Sequence, residues 1–193
     1  MSFELALRAL PKSFATGDGS KLQIRPLKST DETLLLTFFK ALPTGDLMFF
    51  KHRVTNPEVL KGWCENLDLG KTLPLLALEE GAIVAVATLH QKLGGWKRHI
   101  GRISVSVLPA HRKKGIAAKL VHDLVEVAQM SGLRRLEAEF IGTQEGAQKM
   151  FAMLGFVHLI RLENYVQDMQ TVTHDYVLMG LDMQTDEEYA GMG

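Results

Sequence analysis

The 193-residue sequence predicts an α/β domain of the α+β kind. Three observations carry that expectation. Residues 72–79 and 82–91 are two strand-like apolar runs separated by Glu80-Gly81, a hairpin signal. The stretch Val105-Ser-Val-Leu-Pro-Ala-His-Arg-Lys-Lys-Gly-Ile-Ala-Ala-Lys119 is a strand stopped by Pro109, then a basic glycine loop that opens into an amphipathic helix. After that helix come a strand, a short helix and two more strand-like runs.

In chain order, residues 1–18 read as an N-terminal arm. Phe3, Leu5, Leu7 and Leu10 suit a short helix that Pro11 would end, and Gly17-Asp-Gly19 is a turn. Leu22-Gln-Ile-Arg is the first strand, closed by Pro26. Asp31 is placed to cap a helix through Leu34, Leu35, Phe38, Phe39 and Leu42, which Pro43-Thr-Gly45 terminates. Asn56-Pro57 pairs a capping residue with a proline at the first helical position, predicting a helix to about Leu67. Gly94-Gly95 is a second turn, with a partner strand over about 97–107. Ile103, Val105 and Val107 there alternate with Arg102, Ser104 and Ser106, the period of a half-buried strand. The helix after the basic loop carries Ile116, Leu120, Leu124 and Val127/Ala128 on one face, and Gly132 follows as its stop. Residues 133–141 form a strand. Thr143 or Gln144 begins a helix with face Ala147, Met150, Phe151 and Leu154, ended by Gly155. Strands near 157–165 and 174–181 follow, and residues 183–193 are an acidic tail.

Composition narrows the function classes. Lys plus Arg and Asp plus Glu number 22 each, so no global charge draws the chain to nucleic acid or to an anionic membrane. The single cysteine, Cys64, cannot form an intrachain disulfide, and a reducing cytoplasm is the expected setting. No apolar run approaches the roughly 20 residues of a membrane span, and Met1 to Leu10 lacks the pattern of a signal peptide. Seven histidines without paired spacing predict no metal site.

The loop is where the chemistry concentrates. Backbone N–H groups of Lys113, Lys114, Gly115, Ile116, Ala117 and Ala118 converge at a helix N-terminus beside the Arg112, Lys113 and Lys114 charges, an arrangement suited to a phosphorylated ligand. Gly115 lets the backbone approach that ligand, and Ala117 leaves room for it. The spacing Arg112-x-x-Gly115-x-Ala117 after a strand ending Val-x-Pro resembles the acyl-CoA pyrophosphate loop of the GNAT superfamily of N-acyltransferases. So does Leu136-Glu-Ala-Glu-Phe140 followed by Gln144-x-x-Ala147-x-x-Met-Phe151-x-x-x-Gly155-Phe156. The resemblance spans residues 19–182, giving a core domain of those bounds.

The resemblance implies a mixed, mostly antiparallel sheet of seven strands with about four helices, its two central strands parallel and splayed. It implies acetyl-CoA as cosubstrate. The pantetheine arm would lie against Val105, Ser106 and Val107, whose N–H groups would stabilise an oxyanion, with Gln144 and Phe151 completing the cofactor site. Many relatives carry an Asn where Gln144 stands. They also carry a Tyr proton donor where Phe151 stands and a Glu near Gly101 and Arg102, and this chain lacks both groups. Substitutes are spread out: His174 with Asp175, His99 facing His90 across a tight hairpin, Glu137 and Glu139 on one strand face, Tyr165 and Tyr176. General acid and base remain open among them.

The function expected is acetyl transfer to a primary amine by direct attack through a tetrahedral intermediate. The acceptor is a small amine, an amino acid or a protein lysine, and family habit suggests a homodimer. The alternative is an acyl-CoA-binding sensor that transfers slowly or not at all.

Overall fold

The computed structural model describes residues 7, 10–48, 50 and 52–183. One eight-stranded sheet has the order β1-β2-β3-β4-β5-β6-β8-β7. Its strands are β1 (Lys12–Ala15), β2 (Lys21–Pro26), β3 (Thr72–Glu79), β4 (Ala82–Gln91), β5 (Ile100–Val107), β6 (Arg135–Ile141), β7 (Val157–Gln167) and β8 (Thr173–Asp182). The helices are α1 (Glu32–Lys40), α2 (Thr44–Leu47), α3 (Pro57–Glu65), α4 (Ile116–Met130) and α5 (Glu145–Met153). Every neighbouring pair is antiparallel except β5 and β6.

The expected seven strands become eight because the stretch read as an arm contributes β1. That strand is short and pairs with β2 around the Gly17–Gly19 turn. At four residues, Lys-Ser-Phe-Ala, with one large apolar side chain, it is too short to show a period-two pattern in the sequence, although its burial alternates. The helix expected over Phe3 to Leu10 lies largely outside the described residues, as does the tail beyond Met183. No helix among the described residues is long and apolar enough to cross a membrane.

Each face of the sheet buries a separate apolar cluster. On one side α4 and α5 cover Leu73, Leu89, Ile103 and Leu136. The α4 stripe Ile116, Leu120, Leu124 and Val127 supplies that contact, each large side chain stabilising by about 1.5–3 kcal/mol. The helix stops at Gly132, which takes a φ of 73°. Leu133 N–H then reaches Ala128 O at 3.0 Å and Gly132 N–H reaches Gln129 O at 2.9 Å, closing the last turn. On the other side α1 and α3 pack Phe38, Phe39, Leu60 and Cys64 against Leu76, Leu78 and Val86. Asn56 Oδ1 caps α3 by accepting from Glu58 N–H at 3.1 Å.

Two local expectations need correcting. Asp31 precedes α1 but makes no side-chain cap. Its carboxylate instead accepts from Arg25 Nη1 at 2.6 Å, Arg25 Nη2 at 2.9 Å and Lys28 N–H at 2.8 Å, because a guanidinium on β2 outcompetes the helix amides. The β4–β5 connection is not a two-residue Gly94-Gly95 turn. It runs over residues 92–99, and His90 stands opposite Arg102 rather than His99.

Candidate functional site

The site is organised by the parting of β5 from β6. Those strands pair only at Ile100↔Arg135, Gly101↔Leu136 and Arg102↔Glu137. Beyond that rung β5 stays with β4 through Val107 while β6 follows β8, so a wedge opens between them. The wedge begins at Arg102/Glu137 and widens toward the basic loop.

At its wide end, Leu108 N–H bonds Val84 O at 3.0 Å and a 3₁₀ turn over Pro109–His111 redirects the chain. His111 Nε2 meets Glu79 Oε2 at 2.8 Å, pinning the turn to β3. Lys113 and Gly115 adopt φ values of 63° and 81°, which brings the chain round into α4. A Cβ on Gly115 would meet nothing within 4 Å, so its face is open to a ligand. The N–H groups of Lys113, Lys114, Gly115, Ile116, Ala117 and Ala118 donate to no carbonyl or side chain among the described residues. The last four of these are the free donors at the start of a 15-residue helix and the first two belong to the loop before it, together a fit for a pyrophosphate.

The basic side chains behave differently from expectation. Arg112 donates from Nε to Val107 O at 3.1 Å and pairs through Nη2 with Asp46 of α2. Lys114 pairs with Asp18 of the β1–β2 turn at 2.7 Å. Hydrogen bonds from Lys114 and Thr16 hold the Asp18 carboxyl far below the usual range, and Asp18 in turn raises Lys114. Both acids come from distant chain segments, so sequence spacing gave no sign of them.

On the other side of the sheet, between it and α1 and α3, lies a cavity of about 910 Å³. Its roof is aromatic: Phe39 stacks edge-on against Phe50 at 5.5 Å and Trp63 at 6.1 Å, and Trp63 meets His52 at 6.0 Å. Its floor is polar, with Thr88 and His90 from β4, Arg102, Ser104 and Ser106 from β5, and Glu137 from β6. The cavity therefore follows β5 from the wedge apex toward the basic loop. His90 Nδ1 and the Thr72 hydroxyl lie 3.2 Å apart. Desolvation in the cavity wall pushes the imidazole below its ordinary pKa and the Arg102 charge adds to this, both favouring the uncharged ring.

The remaining sequence candidates fall in several places. Glu139 accepts from Arg102 Nη1 at 3.0 Å and from the Tyr176 hydroxyl at 2.9 Å. Burial, and then the Glu139 carboxylate, push Tyr176 up to about 12. Tyr165 lies against Tyr176 with ring centroids 5.9 Å apart. His174 and Asp175 do not form a pair, because successive strand residues face opposite ways. His174 Nε2 meets Asp168 at 2.9 Å, and Asp175 meets Arg161 at 2.7 Å. His99 sits before β5, where its carbonyl accepts from the Arg134 and Arg135 N–H groups, and it does not line the cavity. Gln144 Oε1 accepts from Ile141 N–H at 3.1 Å. Phe151 is 1% exposed, its ring edge-on to Phe140 at 5.0 Å and Phe156 at 4.9 Å, so it presents no surface to a ligand. A grouping of His122, Asp123 and Glu126 has metal-ligand side chains, but Asp123 Oδ1 already receives Lys12 and Lys119, each at 2.6 Å.

A family model described as the acetyltransferase (GNAT) family matches residues 39–156. No curated protein matches the sequence. Solved structures do share the fold. Ribosomal-protein-S5-alanine acetyltransferase from Vibrio fischeri is 20% identical, with a TM-score of 0.75 over 89% of this chain and 96% of its own. A GNAT-family acetyltransferase from Streptococcus pneumoniae is 22% identical, with a TM-score of 0.72 over 84% of this chain and 99% of its own. The Salmonella typhimurium protein yncA, solved with its cofactor acetyl-CoA, is 18% identical, with a TM-score of 0.72 over 84% of this chain and 94% of its own.

Proposed function

Because the chain belongs to the GNAT acetyltransferase family and is an acyltransferase, we propose that it moves an acetyl group from acetyl-CoA to a primary amine by direct attack. The observation that carries this reading is the wedge. It joins a loop of free N–H donors on one side of the sheet to a large aromatic-roofed cavity on the other. Residues 113–118 would hold the pyrophosphate through main-chain dipoles, and Val105, Ser106 and Val107 offer an edge that no strand pairs toward β6. Acetyl-CoA supplies an activated thioester. The chain's own part is to exclude water, orient the amine in the cavity and set an N–H group of β5 against the carbonyl oxygen as negative charge develops there.

Gln144 and Phe151 take no part in this reading, since one binds the end of β6 and the other lies in the core. The acceptor amine enters from the cavity, which has room for an amino acid, a small aromatic amine or a lysine side chain.

The test combines binding with turnover. Acetyl-CoA titrated into the protein should bind, and thiol release should appear with at least one member of a panel of primary amines. Gly115→Glu should abolish that binding while the protein stays folded, because it sets a carboxylate where the phosphates meet the N–H groups. Unchanged affinity in that variant would refute the loop assignment. Binding without thiol release from any amine would favour an acyl-CoA sensor.

A further inference from the structure

We propose that Glu137 anchors the incoming ammonium and accepts its proton, an inference that rests on the acyl-transfer reading above. Its neighbours Leu136 and Ala138 point to the opposite face, where they are 0% and 1% exposed. Strand alternation therefore turns Glu137 toward the acceptor cavity, which it lines.

Glu137 is 8% exposed and has no hydrogen bond or ion pair among the described residues. The unpartnered fully buried side-chain atoms among the described residues are His111 Nδ1 and Asp123 Oδ2, not the Glu137 oxygens, so this carboxylate opens onto the cavity rather than into the core. Here the obvious partner is spent elsewhere. Arg102, opposite Glu137 in the ladder, gives its guanidinium to Glu139. Arg135, on the same strand, is tied to Asp182 at 2.6 Å. The other acid in the cavity wall, Asp68, pairs with Lys71 at 3.1 Å. Glu137 thus keeps its acceptor capacity for something that enters the cavity, and the natural complement is an ammonium.

Its place along β5 fits the same task. The wedge closes at the Arg102/Glu137 rung. A thin arm laid in the wedge from the basic loop runs back along β5, at roughly 3.3 Å per residue, and ends facing that rung. An amine held by Glu137 would then lie beside the thioester. The ammonium gives one proton to the Glu137 carboxylate, which passes it to solvent. The freed nitrogen lone pair forms the C–N bond, the C–S bond breaks, and the second amine proton goes to the departing thiolate. The other titratable or charged groups facing Glu137 are His90, two strands away, the bonded trio Arg102, Glu139 and Tyr176, and His52, Asp68, Lys71, Lys92 and Lys97 of the cavity wall.

The experiment uses phenethylamine, whose ring suits the Phe39–Trp63 roof, titrated into full-length protein saturated with CoA. Wild type should bind it, and Glu137→Gln should weaken binding at least about tenfold, while neutral 3-phenylpropanol should bind both proteins alike. With acetyl-CoA, kcat/KM should fall on the order of 10²-fold at neutral pH. The deficit should shrink as pH approaches the amine's own pKa, where solvent has already removed the proton. The variant should melt with wild type, because the carboxylate has no hydrogen-bond partner among the described residues to lose. Absence of phenethylamine binding to wild type overturns the assignment. So does equal amine affinity in the variant, or an unchanged pH–rate profile. Glu137-dependent binding with no thiol release would support the anchor and refute the acyl-transfer reading.

Discussion

Gly101 sits at the middle of the three rungs that join β5 to β6, and a methyl group there should loosen the whole junction. A Cβ at this position would stand 2.8 Å from Leu136 Cδ2 and 2.9 Å from both Leu133 Cδ1 and Leu89 Cδ1. One leucine tip can swing aside. Three at once cannot, because Leu89, Leu133 and Leu136 are each 2% exposed or less and have no free space behind them. Forcing one carbon into such a core costs about 1–3 kcal/mol. For a chain of this size that lowers the melting temperature by roughly 2–12 °C. The strain has an easy outlet in opening the short β5–β6 ladder, so acetyl-CoA affinity should fall with it. Thermal unfolding of Gly101→Ala, with calorimetry on the folded variant, reads both effects. Gly94→Ala is the control, since its Cβ would meet nothing within 4 Å. If Gly101→Ala melts with wild type, the close packing at the wedge apex is not what holds these strands.

Two further outcomes are expected. Asp31→Ala should cost about 3–5 kcal/mol, because it strands the Arg25 guanidinium, which is 12% exposed. Burial pushes the Asp31 carboxyl up, but hydrogen bonds from Arg25 and Lys28 outweigh it and leave the folded pKa lowered. The stabilisation is therefore complete above the unfolded value of about 3.9 and disappears as pH falls through the folded one. Urea titrations of wild type and variant should converge only in that acidic window, and a gap independent of pH would refute the linkage. Phe151→Tyr should not raise turnover. Its hydroxyl would enter a packed trio of rings with no partner, costing about 1–3 kcal/mol, and a variant as stable as wild type would show that the site is wetter than its burial implies.

The sequence showed most of the sheet because its strands alternate and its turns carry glycine. Residues 72–79 and 82–91 emerge with the bounds read from Glu80-Gly81. The Val105 to Lys119 unit was legible because a proline, a glycine and a helical stripe mark its parts in one continuous stretch. What the sequence hid is what the fold brings together from afar. Asp18 and Asp46 reach the basic loop from other segments, and nothing local to either announces that meeting. Phe39 read as an ordinary helix-face residue, and only the position of α1 and α3 over β4 makes it a roof. Glu137 and Glu139 looked equivalent, two acids on one strand face. Their difference lies in Arg102, whose reach to Glu139 is a matter of side-chain geometry. His90 was tied to His99 by assuming a two-residue turn, and the longer 92–99 connection moved the register.

The two acids at the basic loop change what kind of receptor it is. Arg112 and Lys114 are each matched by a carboxylate before any ligand arrives, which leaves Lys113 as the loop's surplus charge among the described residues. On the acyl-transfer reading proposed above, a pyrophosphate would be selected more by the directions of half a dozen N–H bonds than by long-range attraction. Small anions such as chloride or sulfate would then span too few of those bonds to compete well, and added salt would screen mainly the Lys113 charge. Asp46 also belongs to the helix that follows α1, part of the aromatic roof. The Arg112–Asp46 contact therefore ties the basic loop to the segment that continues from the cavity's aromatic roof.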